Sequence, residues 1–247
     1  MINNEDLHCA LRILELRTEL FNFNLKQMEQ GCYGQTKSLM ALDRKLCVLY
    51  KSITKYDFIS NIKEGNTLLV GEGNLSFTIN LIKKLKLLPK LITSTYECYS
   101  ELSECAGFNA KLLKQAGIKV LHGLDATLLH KQFYSNAFDT IIFQFPHSGS
   151  REGINGINAN YVLVKKFIVS ASYILKTDGA ILITIVDSDF YNNMFRFDEL
   201  AEDLGISQPV KYKFDPKDYP EYEHTMTHQE ESGIDDYSKF ATYEFRI

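Results

Sequence analysis

The chain has 247 residues, 45% of them hydrophobic and 23% charged, with a net charge of −4. That length suits one α/β domain with an appendage, and the acidic balance excludes a global electrostatic pull towards nucleic acid, so any polyanion must meet a local basic face. No apolar run approaches the ~18 residues of a membrane span, the N-terminus shows no signal core, and five cysteines without a CxxC pair point to reduced thiols in a cytoplasmic setting.

Residues 5 to about 60 hold no proline. Leu7, Leu11, Leu14, Thr18 and Phe21 recur at three- and four-residue steps and predict a helix. Gly31 to Gly34 breaks it, and a second helix follows through Leu39, Leu42, Leu46, Leu49 and Tyr50 to near Asp57. An apolar stripe of this kind is expected to pad a core, with capping a cleft or dimerising as alternatives. Residues 1–62 therefore read as a helical extension and 63–247 as the main domain.

From Thr67 strands alternate with helices. Strand Thr67–Val70 leads through Gly71-Glu72-Gly73 to a helix over Ser76–Leu87. A strand over Leu91–Tyr96 and a helix from about Glu101 to Ala116 follow, with Gly117 as its stop. Next come strand Lys119–Leu121, a helix or turn, and the buried run Phe138–Phe145. A helix from about Asn160 to Leu175, strand Ala180–Val186 and a helix over Phe197–Leu204 lead to two extended pieces, Val210–Phe214 and Ala241–Phe245. The alternation implies an α/β, doubly wound, mainly parallel sheet, with the last two pieces as an antiparallel edge.

In such sheets ligands bind at the carboxyl ends of the strands. The first strand ends in Gly71, Glu72, Gly73, Asn74 and Leu75, where backbone N–H groups approach a ligand at a helix start. The second ends at Glu97, placed to accept hydrogen bonds from a ribose diol. The third leads to Asp125 and Ala126, an acceptor for an exocyclic amine beside a backbone donor. These are the groups that an adenosine needs. No Gly-Lys-Ser/Thr follows the glycines, and Ser76 interrupts GxGxxG, so a cofactor without pyrophosphate, S-adenosylmethionine, is preferred to a dinucleotide.

After the fourth strand stand Gln144, Phe145, Pro146 and His147. Gln144 offers an acceptor and a donor to a planar amide-like group, and Phe145 offers a ring for stacking. Pro146 stiffens the turn, and His147 is a candidate base. The loop Tyr219–His224 reads equally as one wall of a substrate site or as a packed aromatic cover. His224 and His228 have i, i+4 spacing, but Pro220 speaks against a helix, and no metal is expected.

Four motifs carry a resemblance: Val70-Gly-Glu-Gly-Asn-Leu-Ser-Phe77, Leu121-His-Gly-Leu-Asp-Ala-Thr127, Phe138-Asp-Thr-Ile-Ile-Phe-Gln-Phe-Pro-His147 and Phe214-Asp-Pro-Lys-Asp-Tyr-Pro-Glu-Tyr222. In this order they resemble the domain of the eukaryotic 25S rRNA (uridine-N3)-methyltransferases and their Rossmann-like relatives. The resemblance runs from about Asn66 to Arg246. It implies a class I S-adenosylmethionine-dependent methyltransferase acting on uridine N3 of ribosomal RNA, with cofactor residues at Gly71, Glu72, Gly73, Glu97 and Asp125. Two positions depart from the family pattern. Gln144 replaces an asparagine and reaches one methylene further, and Tyr161 stands after Asn160 where an arginine is usual, which counts against a phosphate-bearing acceptor. A small-molecule or protein acceptor, or a cofactor-binding module without turnover, are the competing readings.

Overall fold

The computed structural model describes residues 4–31, 36–85, 89–149, 153–154, 156–225 and 234–247. Two compact units are distinguished: Met1–Tyr56 with Val210–Lys213, and Asp57–Pro209 with Phe214–Ile247. The sequence reading set the division later, after residue 62.

In the first unit α1 (Asn4–Glu29) packs on α2 (Thr36–Ile53). The Arg17 guanidinium holds the Asp43 carboxylate with two bonds, Nε to Oδ1 at 2.7 Å and a terminal nitrogen to Oδ2 at 3.2 Å. The apolar stripe expected on α1 is not the enclosed face: all five of its positions, Thr18 included, are exposed, and a different face is buried. Ala10 and Ile13 are buried, whereas Leu7, Leu11, Leu14 and Phe21 are exposed. Two helices alone have too little volume to bury a full stripe. The backbone N–H of Lys213 donates to the Thr54 carbonyl at 2.8 Å, and Lys213 Nζ pairs with Asp6.

The second unit opens with α3 (Phe58–Glu64), capped by Asp57, whose Oδ1 accepts the Ser60 N–H at 3.0 Å. Phe58 and Ile62 are buried, which is why this short helix belongs here rather than with the N-terminal pair. Next come β1 (Thr67–Val70), α4 (Ser76–Lys83), β2 (Leu91–Ser94), α5 (Glu104–Gln115), β3 (Lys119–Leu121) and β4 (Phe138–Gln144). A small hairpin of β5 (Gly153–Ile154) and β6 (Ile157–Asn158) precedes α6 (Ala159–Ile174) and β7 (Leu175–Val186). Then follow α7 (Asp189–Phe195), α8 (Phe197–Leu204), β8 (Val210–Phe214), of which all but Phe214 is counted with the first unit, and β9 (Phe240–Phe245).

The sheet order is β3-β2-β1-β4-β7-β9-β8. β3, β2, β1, β4 and β7 pair in parallel, and β9 runs antiparallel to β7 with Ile183 opposite Tyr243. Every residue of β1 is buried, as are Ile141 and Ile142 on β4 and Ile181 and Leu182 on β7. Each such side chain contributes roughly 1.5–3 kcal/mol of burial. The chain winds outwards from β1 through β2 to β3, then returns to β4 on the other side. The switch point therefore lies between the carboxyl ends of β1 and β4.

Several details differ from the sequence reading. A 3-10 turn at Tyr99–Glu101 precedes α5, because Ser103 caps the helix by accepting the Ala106 N–H. Lys176 to Gly179, expected as a connection, lies within β7 at a register shift opposite Phe138 and Thr140, with Asp178 at φ +64°. The hairpin and α7 were not anticipated. Ser188 caps α7, so the Asp187–Asp189 cluster starts a helix. The expected end of the helix after Lys83 reaches residues 86–88, outside the described residues, as does His228.

Candidate active site

The turn after β1 is built by backbone conformations that few residues tolerate. Gly71 has φ +65°, and a Cβ there would lie 2.5 Å from Phe143 Cε2. Leu75, at φ +64°, is a left-handed non-glycine residue and fully buried, so packing holds its strain. Asn74 closes the turn: Oδ1 accepts the Ser76 N–H at 3.0 Å and Nδ2 donates to the Glu223 carbonyl at 2.9 Å. Its side chain is thus spent on the fold, while the residue still lines the cavity described below.

Glu72 is 7% exposed. Its Oε2 accepts from the Thr78 N–H at 3.1 Å and the Thr78 hydroxyl at 2.9 Å. Burial pushes its pKa up to about 7, and the two Thr78 bonds pull the other way. On the next strands, the Glu97 carbonyl accepts from Thr95 Oγ1 and the Gly123 N–H, each at 2.9 Å. The Glu97 carboxylate itself makes no bond among the described residues. Asp125 Oδ1 accepts from the Thr127 N–H at 2.8 Å and its hydroxyl at 2.7 Å, capping the 3-10 turn that begins at Ala126. Oδ2 remains for another donor.

At the end of β4, Gln144 is 9% exposed, and among the described residues neither Oε1 nor Nε2 has a hydrogen-bond partner. Leaving such a group unmade costs roughly 1–3 kcal/mol. Phe145 turns the chain at φ +47° and anchors through its N–H on the Thr184 carbonyl at 2.8 Å. Pro146 is buried and His147 exposed. His147 Nδ1 accepts the Gly149 N–H at 3.0 Å, so the neutral ring carries its proton on Nε2.

The loop left open by the sequence supplies the fourth side. Ser76 Oγ donates to the Glu223 carbonyl at 3.1 Å and accepts the Glu223 N–H at 3.0 Å. Asn80 Oδ1 takes the Glu221 N–H at 3.2 Å, and Lys83 pairs with Glu221. Strapped to α4 in this way, the loop brings Tyr222 parallel to Phe145 at 6.4 Å and the His224 ring edge-on to it at 5.2 Å. Burial pushes the His224 pKa down to about 4, His147 adds to that, and Asp235 opposes it. The loop is both packed aromatic cover and wall. Distance in sequence hid this, because nothing near residue 222 signals a partner at residue 76.

Gly71, Glu72, Gly73, Asn74, Leu75, Glu97, Asp125, Ala126, Gln144, Phe145 and His147 all line one cavity of about 370 Å³, together with Tyr222 and His224. That volume is in the range of small-ligand sites. Pro146 stands behind the lining. Tyr161 is also outside it: its hydroxyl donates to Asp203 at 2.9 Å, and the Arg196 guanidinium lies over its ring at 4.6 Å. Among the described residues no cluster of His, Cys, Asp or Glu is arranged to hold a metal, and no helix is long and apolar enough to cross a membrane.

A sheet of this order with its cavity at the β1/β4 switch point is the class I methyltransferase fold, a class whose cofactor is S-adenosylmethionine. Residues 68–226 match the BMT5-like family, described as rRNA (uridine-N3-)-methyltransferase BTM5-like, and the chain belongs to this family. It is 31% identical over 164 residues to heavy metal-associated isoprenylated plant protein 41 of Arabidopsis thaliana, covering 63% of this chain and 32% of that one. It is 30% identical over 168 residues to an uncharacterized Arabidopsis thaliana protein, covering 63% of this chain and 78% of that one. The chain thus spans about a third of the first relative's length. A solved structure, the N-methyltransferase NodS from Bradyrhizobium japonicum, is similar with a TM-score of 0.47 at 13% identity, covering 83% of this chain and 95% of that one.

Proposed function

We propose that this protein transfers a methyl group from S-adenosylmethionine to N3 of a uridine in ribosomal RNA, in a cytoplasmic setting. The observation that carries the reading is the buried Gln144 amide, with donor and acceptor both unused at the end of β4. A uracil imide edge presents carbonyl oxygens to which the Gln144 Nε2 can donate, beside the N3–H that is left for the base to remove. Binding such an edge would recover part of the cost of the orphaned amide.

The residues present fit the cofactor. Gly71, where Phe143 leaves no room for a Cβ, gives backbone access at the start of α4. The unbonded Glu97 carboxylate suits a ribose diol, Asp125 Oδ2 suits an exocyclic amine, and Glu72 would suit the amino-acid end. When bound, S-adenosylmethionine supplies a methyl group already activated by its sulfonium. The protein's part is alignment and proton removal. Gln144 and Phe145 hold the base, and His147 takes the imide proton, in which case the Gly149 N–H bond to Nδ1 opens as the acceptor enters.

The test is methyl transfer by purified protein to uridine-containing ribosomal RNA, read as 3-methyluridine by mass spectrometry of the digested nucleosides. Tight cofactor binding without 3-methyluridine would overturn the acceptor assignment and favour a small-molecule or protein acceptor.

A further inference from the structure

A second groove, about 630 Å³, runs along the outer face of α6 and shares Thr127, Val162 and Lys166 with the candidate active-site cavity. Its cations are unequal. Lys165 is paired with Asp203 at 2.7 Å, and Arg196 with Glu199 at 2.9 Å. Lys166, at the junction of the two cavities, is exposed and forms no ion pair or hydrogen bond among the described residues. Seven residues further along the same helix, Tyr173 is 64% exposed, its ring 5.8 Å from that of His130. Seven residues of helix rise about 10 Å, close to the length of three stacked nucleotides at ~3.4 Å each.

We propose that this groove holds the single-stranded RNA flanking the methyl acceptor, with Lys166 on a backbone phosphate and Tyr173 beneath a base. A free cation next to exposed aromatic faces is the pattern that tracks a single strand without reading its sequence. Continuity with the active-site cavity places the strand beside the acceptor nucleotide. The groove also restores a positive contribution in an otherwise acidic chain: three cations face two carboxylates, and Arg196 lays its guanidinium over the Tyr161 ring at 4.6 Å. The inference rests on the RNA-methyltransferase reading above.

The experiment is equilibrium binding of the full chain to a short uridine-containing single-stranded RNA over a range of salt concentrations. Tyr173→Ala should weaken binding at least about fivefold, as expected for loss of one stacked base, while Tyr173→Phe retains it. Lys166→Ala should lower the slope of log affinity against log salt by about 0.7, the value for one phosphate on a single strand. Calorimetry should show unchanged S-adenosylmethionine affinity in Tyr173→Ala. If the parent methylates this RNA and both alanine variants bind it with parental affinity and slope, the groove assignment is wrong and the proposed function stands. If the parent binds S-adenosylmethionine but neither binds nor methylates RNA, the proposed function fails and takes this inference with it.

Discussion

Gln144 and His147 raise opposite questions about individual side chains. Gln144 is buried with an unused amide, a cost the fold accepts at the cavity. Gln144→Leu should therefore leave stability unchanged or raise it by about 1 kcal/mol in urea denaturation, while transfer to RNA falls at least about a hundredfold. A stability loss without an activity loss would mean that the amide serves the fold. His147 has its Nδ1 engaged by Gly149, so its base role requires that bond to exchange. His147→Ala should keep S-adenosylmethionine binding and abolish 3-methyluridine formation. Should turnover survive there and vanish in His224→Ala, the proton acceptor is the partly buried imidazole on the opposite wall.

Among the elements, the loop from Phe214 to Thr225 decides the shape of the site. One hydroxyl, Ser76 Oγ, serves both the N–H and the carbonyl of Glu223. Ser76→Ala removes two hydrogen bonds and should cost about 1–3 kcal/mol, with limited proteolysis moving into this loop and weaker S-adenosylmethionine binding. The turn after β1 has less tolerance. Gly71→Ala combines a left-handed φ with a contact of 2.5 Å to Phe143, so it should destabilise the fold and abolish cofactor binding, both read by thermal shift with and without S-adenosylmethionine. Helix–strand alternation made most of these elements legible: β1, β3 and α8 fall where periodicity and stop residues set them. The hairpin of β5 and β6 was not legible, since two-residue strands carry no period. Nor was α7, whose Ser188 cap sits in a polar cluster that reads as a strand-end ligand site.

Across the whole molecule, two titrating groups, Glu72 buried and His224 partly buried, oppose each other. The Glu72 pKa is raised to about 7 from an ordinary 4.5, so the folded state holds the extra proton and stability falls as pH rises through 4.5 to 7. The His224 pKa is lowered to about 4 from 6.5, so the unfolded state holds the extra proton and stability is lost as pH falls through 6.5 to 4. Each shift is worth about 3 kcal/mol, and between pH 4.5 and 6.5 they offset. The parental stability from these two groups should be nearly flat there. Glu72→Gln should leave a rise with pH and His224→Gln a fall, measured by urea denaturation across that range; parallel profiles for all three proteins would refute the pairing.

Local sequence alone determined the sheet class, the glycine turn, and the strand-end positions of Glu97, Asp125 and Gln144, because alternation and turn chemistry act over a few residues. Only the tertiary structure decided that Tyr222 and His224 face those residues, that Asn74 is consumed by the fold, that Gln144 is left unbonded, and that Arg196 reaches Tyr161. Those facts depend on contacts between segments up to 149 residues apart, and hydrogen-bond partners at such separation leave no periodic trace in the chain.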